Sequence, residues 1–210
     1  MAKYQVFLLG DDAVAVQPAD RRARHPLARS LRTLGAWIDV VPGKEIVAAQ
    51  FDPAMINPHD ALRRMEDWLG DFSADAVMEA NTITLRLDVS CASAPDLESL
   101  AARNSLSIDA FLNRVVQSEL VVDMLGFTPG FAYVEGVDPA LEAERLSVPR
   151  QRVAAGSVGI LRGQLGLYGL SGPGGWPIIG RLTDTLFDPE RESPFLLTEG
   201  TRLRLELVNR

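Results

Sequence analysis

The sequence predicts an α+β protein in which a small ferredoxin-like domain, residues 1–80, is followed by a β-barrel domain, residues 81–210. Two observations support this prediction. In the first domain, short apolar runs alternate with two helical repeats in the order strand–helix–strand–strand–helix. In the second domain, only two helical repeats accompany several short strands separated by glycine and proline turns, which favours a closed or nearly closed barrel.

Apolar runs bounded by chain-breaking residues define the elements of the first domain. Strands are predicted at 4–9, 13–16, 37–41 and 45–51, with a further strand near 76–80. Helices are predicted at 26–34 and 59–69, each with one apolar face and a glycine at its end. The faces consist of Leu27, Leu31 and Leu34 in the first helix and of Leu62, Met65, Trp68 and Leu69 in the second.

The second domain begins with a strand at 83–89, whose alternating apolar and polar residues predict one buried face. A helix is predicted at 96–104. Ser107 is a favourable N-cap for a second helix, whose apolar face comprises Ile108, Phe111, Leu112, Val115 and Val116. Further strands are predicted at 120–125, 157–161, 164–168, 178–179 and 202–208.

Composition and charge argue against several classes of protein. The formal net charge of −7 argues against a nucleic-acid-binding protein, which needs cations to neutralise phosphates. No apolar run approaches the roughly 20 residues needed to span a membrane, and the N-terminus lacks the features of a signal peptide. The single cysteine, Cys91, rules out an intrachain disulfide, so we expect a cytoplasmic protein.

Common nucleotide-binding, metal-binding and nucleophile motifs are absent from the sequence. No lysine follows Lys44, which excludes a P-loop in the second domain, and no Gly-x-Gly-x-x-Gly follows a strand. Two distant histidines and one cysteine form no zinc-ligand cluster, so no metal site is expected. Residues 155–159 lack the Gly-x-Ser-x-Gly spacing, and we interpret Ser157 as the start of a strand rather than as a nucleophile.

The segment 125–188 is the strongest candidate for a functional site. It contains most of the chain's 17 glycines together with strand-like apolar runs, a composition typical of tight turns and of backbone that closely approaches another group. Arg150 and Arg181 each follow a structure-breaking residue, and the planar donor fork of arginine suits a carboxylate or a phosphate. A structural salt bridge is the alternative for both.

Two other side chains of this segment have open interpretations. Trp176 follows two glycines, and it either lies over a ligand or plugs the mouth of the barrel; we favour the plug. Gln164 is either a polar donor in a pocket or a surface residue. Both are therefore candidates rather than assigned site residues.

Five motifs of the second domain occur in an order that matches a known family. They are Met-Leu-Gly-Phe-Thr-Pro-Gly-Phe-Ala-Tyr at 124–133, Pro-Arg-Gln-Arg-Val at 149–153, Ala-Gly-Ser-Val at 155–158, Gln164, and Pro-Gly-Gly-Trp at 173–176 with Ile-Gly-Arg at 179–181. Weaker similarity at 10–13, 41–43 and 51–53 extends the match over nearly the whole chain. The sequence resembles the family of the B-type subunit of 5-oxoprolinase, also described as allophanate hydrolase subunit 1 or the carboxyltransferase C/D domain, which includes a sporulation kinase inhibitor.

The resemblance implies a cyclophilin-like β-barrel for residues 81–210 and a role as one subunit of an ATP-dependent amide or lactam hydrolase, of the 5-oxoprolinase or allophanate hydrolase type. It implies a small carboxylic acid as substrate, ATP with or without magnesium as cofactor, and no biotin attachment site in this chain. It further implies a homologous cyclophilin-like partner similar to the C-type subunit of 5-oxoprolinase, and a third subunit. Alone, the chain is expected to be inactive.

The resemblance also implies the residues of the site, but it assigns no catalytic residue. Arg150 and Arg181 are expected to bind a carboxylate or a phosphate, and the loops 126–130 and 172–175 to supply backbone N–H donors. The complete set of candidates is Arg150, Arg181, Gln164, Gly130, Tyr133, Ser157, Gly174, Gly175 and Trp176.

The chain departs from the family pattern at several positions. Val115 and Val116 stand where members carry a His-Thr pair, and residues 86–91 replace a Pro-Val-x-Tyr-Gly-Gly run. Leu165 stands in place of a threonine, and Ala154 in place of a proline. Two other functions are therefore considered: a non-catalytic regulatory protein that inhibits a sensor histidine kinase, and a divergent relative that binds a small acid without converting it.

Overall fold

The computed structural model describes residues 3–72 and 81–209. The chain divides into two compact units, Met1–Glu79 and Ala80–Arg210. Each unit has a hydrophobic core of its own. The strand predicted near 76–80 lies outside the described residues.

The described part of the first unit contains a four-stranded antiparallel sheet and two α-helices. In sheet order the strands are β1 (Tyr4–Leu9), β2 (Ala13–Pro18), β4 (Val47–Gln50) and β3 (Asp39–Pro42). A short 3-10 helix, Arg21–Ala23, leads into α1 (Arg24–Thr33), and α2 (Pro58–Asp71) follows β4. The order β2-α1-β3-β4-α2 is that of a ferredoxin-like fold, to which β1 adds an edge strand beside β2.

Apolar faces at helical spacing hold these two helices in the core of the first unit. Leu27 and Leu31 of α1 and Met65 of α2 are fully buried there. Leu34, predicted to share the inner face of α1, is instead exposed. The reason is local, because α1 ends at Thr33 and Leu34 is the capping residue that follows it.

The second unit is built, in its described residues, on a closed barrel of seven strands. Around the barrel the strands are β10 (Gln164–Leu167), β7 (Ala132–Glu135), β6 (Leu120–Leu125), β13 (Arg202–Val208), β5 (Thr82–Asp88), β12 (Ile178–Leu182) and β9 (Ser157–Leu161). β5 and β13 are parallel, and every other neighbouring pair is antiparallel. The predicted α+β class, with a barrel in the second part of the chain, is confirmed.

Two further strands, β8 (Arg150–Val153) and β11 (Gly172–Gly174), pair with each other in a separate two-stranded sheet. The sequence pattern predicts neither of them, nor β7. Each of these strands is three or four residues long, and β11 consists of glycine and proline. Strands this short contain too few residues to display an alternating pattern.

The core of the second unit combines barrel strands with two helices, α3 (Leu97–Arg103) and α4 (Ile108–Gln117). Side chains alternate along a strand, so Val158, Ile160, Leu165 and Leu167 all point into this core. Phe111 of α4 is fully buried against the same cluster, whereas Ile108, predicted on the same helix face, is exposed. The residues between the inward ones lie on the outer face of the barrel.

Candidate functional site

An aromatic cluster lies on the outer face of β7 and β10. Tyr133 alternates with core residues of β7, and Tyr168 follows β10 in the same alternation. Phe131 lies between them, with its ring centroid 4.8 Å from that of Tyr133 and 5.0 Å from that of Tyr168, both edge-on. The Trp176 centroid is 6.1 Å from that of Tyr133. We call these four residues the outer aromatic cluster.

Trp176 is buried in this cluster because two glycines leave room for it. Gly159 and Gly166 lie directly opposite each other in the β9–β10 pair. A Cβ atom at Gly166 would lie 2.9 Å from Phe131 and 3.0 Å from Trp176, and one at Gly159 would lie 2.9 Å from Trp176. With 7% of its surface exposed, Trp176 is buried, but not as the predicted plug of the barrel mouth. It packs against the outer face of two strands rather than in the barrel mouth.

Arg150 begins β8 and faces an acidic partner from a distant part of the chain. Its Nη2 donates to Asp96 Oδ1 at 2.8 Å, and Asp96 Oδ2 accepts the Ile178 N–H at 2.7 Å. The salt bridge considered as the alternative for Arg150 therefore forms. Nη1 of the same guanidinium is buried and has no hydrogen-bond partner among the residues that the structure describes. A buried charged donor without an acceptor costs about 1–3 kcal/mol or more, so an anion at Nη1 would be stabilised.

Tyr168 connects Arg150 with a second arginine. Burial raises the pKa of the Tyr168 hydroxyl, and the guanidinium groups of Arg145 and Arg150 oppose that rise because they favour the phenolate. Arg145 is exposed and lies close to Gly175, where a Cβ atom would be 3.8 Å from its Nη1. A Cβ atom at Gly174 would collide with the Tyr168 hydroxyl. Gly174 thus keeps the backbone close to the phenol, and Gly175 keeps it close to Pro149 and Arg145. Arg145 and Arg150 are the candidate donors for a carboxylate or a phosphate.

Arg181, the other arginine candidate, has different surroundings. It is exposed, and its Nε donates to the Ala155 carbonyl at 3.1 Å. Across the β9–β12 pair it lies opposite Ser157. Ser157 begins β9, as expected from the sequence, and its carbonyl accepts the Tyr168 N–H at 3.0 Å. Arg181 therefore flanks the backbone that holds Tyr168, whereas the Arg150 guanidinium lowers the pKa of the Tyr168 hydroxyl electrostatically.

Gln164 lies at the far end of β10 from Tyr168. It follows the tight turn at Arg162 and Gly163, both with positive φ, and it lies opposite Glu135 of β7. The side chain is half-buried. At about 3.3 Å per residue, the length of β10 places its backbone roughly 10 Å from that of Leu167, so Gln164 is not part of the Arg150–Tyr168 arrangement.

Gly130 ends a loop with its own surface cleft. Residues 125–130 and Phe195 line an open cleft of about 400 Å³. Gly130 has φ +73°, and a Cβ atom there would collide with Phe187 and lie 3.4 Å from the Gly169 Cα. Phe127 in the same loop also has positive φ, and 62% of its surface is exposed. The requirement for glycine at 130 thus comes from its positive φ and from close packing against Phe187 and Gly169.

The positions at which the chain departs from the family pattern have apolar or loop surroundings. Val115 and Leu165 are fully buried in the core of the second unit, on the other side of the strands from the outer aromatic cluster. In the 86–91 run, Asp88 accepts the Ser90 N–H at 3.0 Å, which lowers the pKa of the Asp88 carboxyl. Cys91 is exposed. In this chain, position 115 therefore serves packing.

The sequence alone does not reveal Asp96, Tyr168, Arg145 and Phe131 as members of the site. Its pattern places Asp96 at the start of a helix, but the carboxylate does not cap α3 and instead binds Arg150, 54 residues away. The same kind of pattern marks Tyr168 only as the end of a strand. Neither residue carries a local signal, because the contact that gives each its role comes from another part of the chain.

Neither a metal-ligand cluster nor a membrane-spanning helix occurs in the described residues. Across 3–72 and 81–209 the structure contains no group of three or more His, Cys, Asp or Glu side chains that could hold a metal ion. Over the same ranges, no helix is both long enough and apolar enough to cross a membrane.

Known proteins with similar sequences are named as subunits of one enzyme. The chain is 32% identical over 214 residues to the B-type subunit of 5-oxoprolinase from Escherichia coli O157:H7, covering 97% of this chain and 96% of that protein. It is 29% identical over 216 residues to the B-type subunit of 5-oxoprolinase from Bacillus subtilis (strain 168), covering 94% and 90%.

A solved structure has a similar fold within a longer chain. The structure of TTHA0988 aligns with a TM-score of 0.74 at 29% identity over 98% of this chain. This chain spans 39% of the length of TTHA0988. Residues 4–197 match the family described as "Carboxyltransferase domain, subdomain C and D". The resemblance inferred from the five motifs is thus confirmed, and the chain belongs to this carboxyltransferase-domain family.

Proposed function

We propose that the protein is one subunit of an ATP-dependent amide or lactam hydrolase of the 5-oxoprolinase type, and that it binds the carboxylate of the substrate. The names of two relatives that it matches over nearly their full length support the enzyme class. The observation that supports a carboxylate-binding site is the buried, unpaired Nη1 of Arg150 beside the outer aromatic cluster.

A small cyclic acid such as 5-oxoproline suits this arrangement chemically. A carboxylate oxygen would accept from Arg150 Nη1, which gains its missing acceptor. The exposed Arg145 adds positive charge on the solvent side. The edge of a lactam ring could rest against the half-buried Tyr133, whose ring already packs edge-on with Phe131. The chain would then orient the amide without itself supplying a nucleophile.

ATP enters this proposal as a second substrate. When it is bound, it supplies the phosphoryl group that activates the amide oxygen; 5-oxoproline, ATP and two water molecules would give glutamate, ADP and phosphate. A phosphate oxygen would suit Arg150 and Arg145 as well as a carboxylate does, because both present anionic oxygens to a guanidinium. A homologous barrel subunit and a third subunit are the proposed partners, and they would supply the remaining catalytic groups.

Turnover by the purified complex tests the proposal. The chain is produced with its homologous barrel subunit and the third subunit, and phosphate and glutamate are measured with and without 5-oxo-L-proline and ATP. We expect both products to rise together, and the chain alone to release neither. If 5-oxo-L-proline fails to stimulate phosphate release by the intact complex, the assignment to this reaction is wrong. If the acid alone raises the melting temperature of the chain without any turnover, the divergent acid-binding alternative is favoured.

A second candidate function is the inhibition of a sensor histidine kinase. One observation favours it: Phe127 and Phe195 are exposed and both line the 125–130 cleft, where a protein partner could bury them. Autophosphorylation of a sensor kinase from the same organism is measured with an excess of the wild-type chain and of Phe127→Ser. Inhibition by the wild type that is lost in the variant would support a regulatory role.

A further inference from the structure

We propose that Asp96 is a positioning residue that holds the guanidinium of Arg150 in the orientation needed to bind an anion through Nη1. The inference rests on the proposed function for the identity of the anion. It assigns Asp96 a role that acts entirely through Arg150. The carboxylate itself is not expected to touch the substrate.

Asp96 is fixed to the barrel before any ligand binds. Its Oδ2 accepts the Ile178 N–H at 2.7 Å, and its own N–H donates to the Ile178 carbonyl at 3.2 Å. Ile178 begins β12 and is buried with Phe131 and Tyr168. The Asp96 side chain is 13% exposed. The carboxylate therefore has one oxygen tied to the strand and the other turned toward Arg150.

Asp96 Oδ1 determines which nitrogen of the Arg150 guanidinium is left to bind an anion. Asp96 Oδ1 accepts from Nη2 at 2.8 Å, which leaves Nη1 buried and without an acceptor among the described residues. A free arginine side chain carries about 2 kcal/mol of rotamer entropy, so fixing it in advance lowers the cost of binding a ligand. In a purely structural salt bridge, the buried donors of the guanidinium are expected to be paired, whereas Nη1 is not.

A matched pair elsewhere in the second unit provides the control. Asp184 Oδ2 accepts the Arg86 N–H at 2.8 Å, and its Oδ1 lies 3.5 Å from Arg86 Nη2. Like Asp96, Asp184 thus joins one backbone N–H and one arginine. Among the described residues, the hydrogen bonds and the ion pair between Asp184 and Arg86 involve neither Arg150 nor Asp96. Asp184→Asn therefore removes the same kind of interaction without touching the site.

Binding of 5-oxo-L-proline to the full-length chain, alone and in the complex, gives the first test. Asp96→Asn is expected to weaken binding about tenfold, the scale of immobilising one long side chain, and to cause no further loss when Arg150→Gln is already present. Asp96→Glu, which keeps a carboxylate, is expected to fold and to regain part of the affinity. Asp184→Asn, whose ion pair is longer and more exposed, is expected to lower the melting temperature less and to leave affinity unchanged. The proposal is wrong if the double variant loses affinity by the product of the two single losses. It is also wrong if Asp184→Asn loses as much affinity as Asp96→Asn.

The guanidinium signals of Arg150 in the NMR spectrum give a second test that needs no ligand. Slow rotation should give separate Nη–H signals in the wild type, and these signals should merge in Asp96→Asn but not in Asp184→Asn. If Asp96→Asn leaves the signals separate, the positioning role is wrong whatever the ligand is. If the signals behave as expected but neither 5-oxo-L-proline binding nor turnover is detected, the positioning role stands and the proposed reaction is wrong.

Discussion

Arg150 and Arg181 have the same local sequence signal and opposite surroundings. Each follows a structure-breaking residue, which makes the two equal candidates for anion binding. Arg150 is held by Asp96 and keeps one buried nitrogen unpaired, whereas Arg181 is exposed and donates to the Ala155 carbonyl. A residue in water already has acceptors, while a buried donor has only those that the fold supplies. Arg150 is therefore the stronger candidate for anion binding.

The largest expected effect comes from Arg150→Gln. Loss of the charge and of the Nη1 donor should weaken 5-oxo-L-proline binding about 10- to 100-fold, since hydrogen bonds to charged groups contribute roughly 1.5–3 kcal/mol. Isothermal titration calorimetry measures the dissociation constant, and Arg150→Lys serves as the control that keeps the charge but loses the fork. Unchanged affinity in Arg150→Gln would remove Arg150 from the site.

The next largest effect is expected from a substitution at Gly166, against which Trp176 packs. Gly166→Ala should destabilise the chain by about 1–3 kcal/mol, because the new methyl group would lie within 3.0 Å of both Phe131 and Trp176. Urea denaturation followed by tryptophan fluorescence measures the change. Gly172→Ala is the matched control, since a Cβ atom there meets nothing within 4 Å. Equal stability of the two variants would contradict the packing described for Trp176.

A smaller effect, on the pH dependence of stability, is expected from the titration of the Tyr168 hydroxyl. Burial raises its pKa in the folded chain, so above the unfolded value of about 10 the unfolded state loses its proton first. Stability contributed by the neutral phenol is thus complete below about pH 10 and is lost as the pH rises through the folded pKa. Relative to Tyr168→Phe, the wild type should lose free energy of unfolding as the pH rises above about 10. Parallel pH profiles for the two proteins would contradict a raised pKa.

The smallest effect is expected from Arg181→Gln. The side chain is exposed, and contacts of exposed charges contribute little, so both melting temperature and 5-oxo-L-proline affinity should remain close to the wild type, with affinity within about twofold. Affinity is measured by isothermal titration calorimetry, as for Arg150→Gln, so the two variants can be compared directly. If Arg181→Gln lost as much affinity as Arg150→Gln, the distinction between the two regions would be wrong.

Much of the fold followed from patterns that lie within single elements. The alternation at 83–89 and the helical spacing from Ser107 correctly identified β5 and α4, because burial of one face imposes these periods locally. The short strands β7, β8 and β11 escaped prediction, and two of them hold site residues, Tyr133 and Arg150. Their pairing is stabilised by neighbours across the sheet, which a local pattern does not contain.

The candidate site was predicted in part. The glycines at 174 and 175 and the aromatic residues Tyr133 and Trp176 come together near Arg150 and Tyr168, whereas Gln164 lies at the far end of its strand. Residue type suggested which side chains could bind an anion, but distance along the chain gave no measure of distance in space. Asp96 shows this most clearly, because its partner lies 54 residues away.

The sequence by itself determined the α+β class and the family, since periodicity, turn residues and ordered motifs are local properties. Only the tertiary structure decided which arginine has an unpaired donor, and that Trp176 packs across two opposed glycines rather than over an open pocket. The physical reason is the same in both cases. Burial and hydrogen-bond satisfaction depend on groups that distant segments bring together, and no local pattern specifies them.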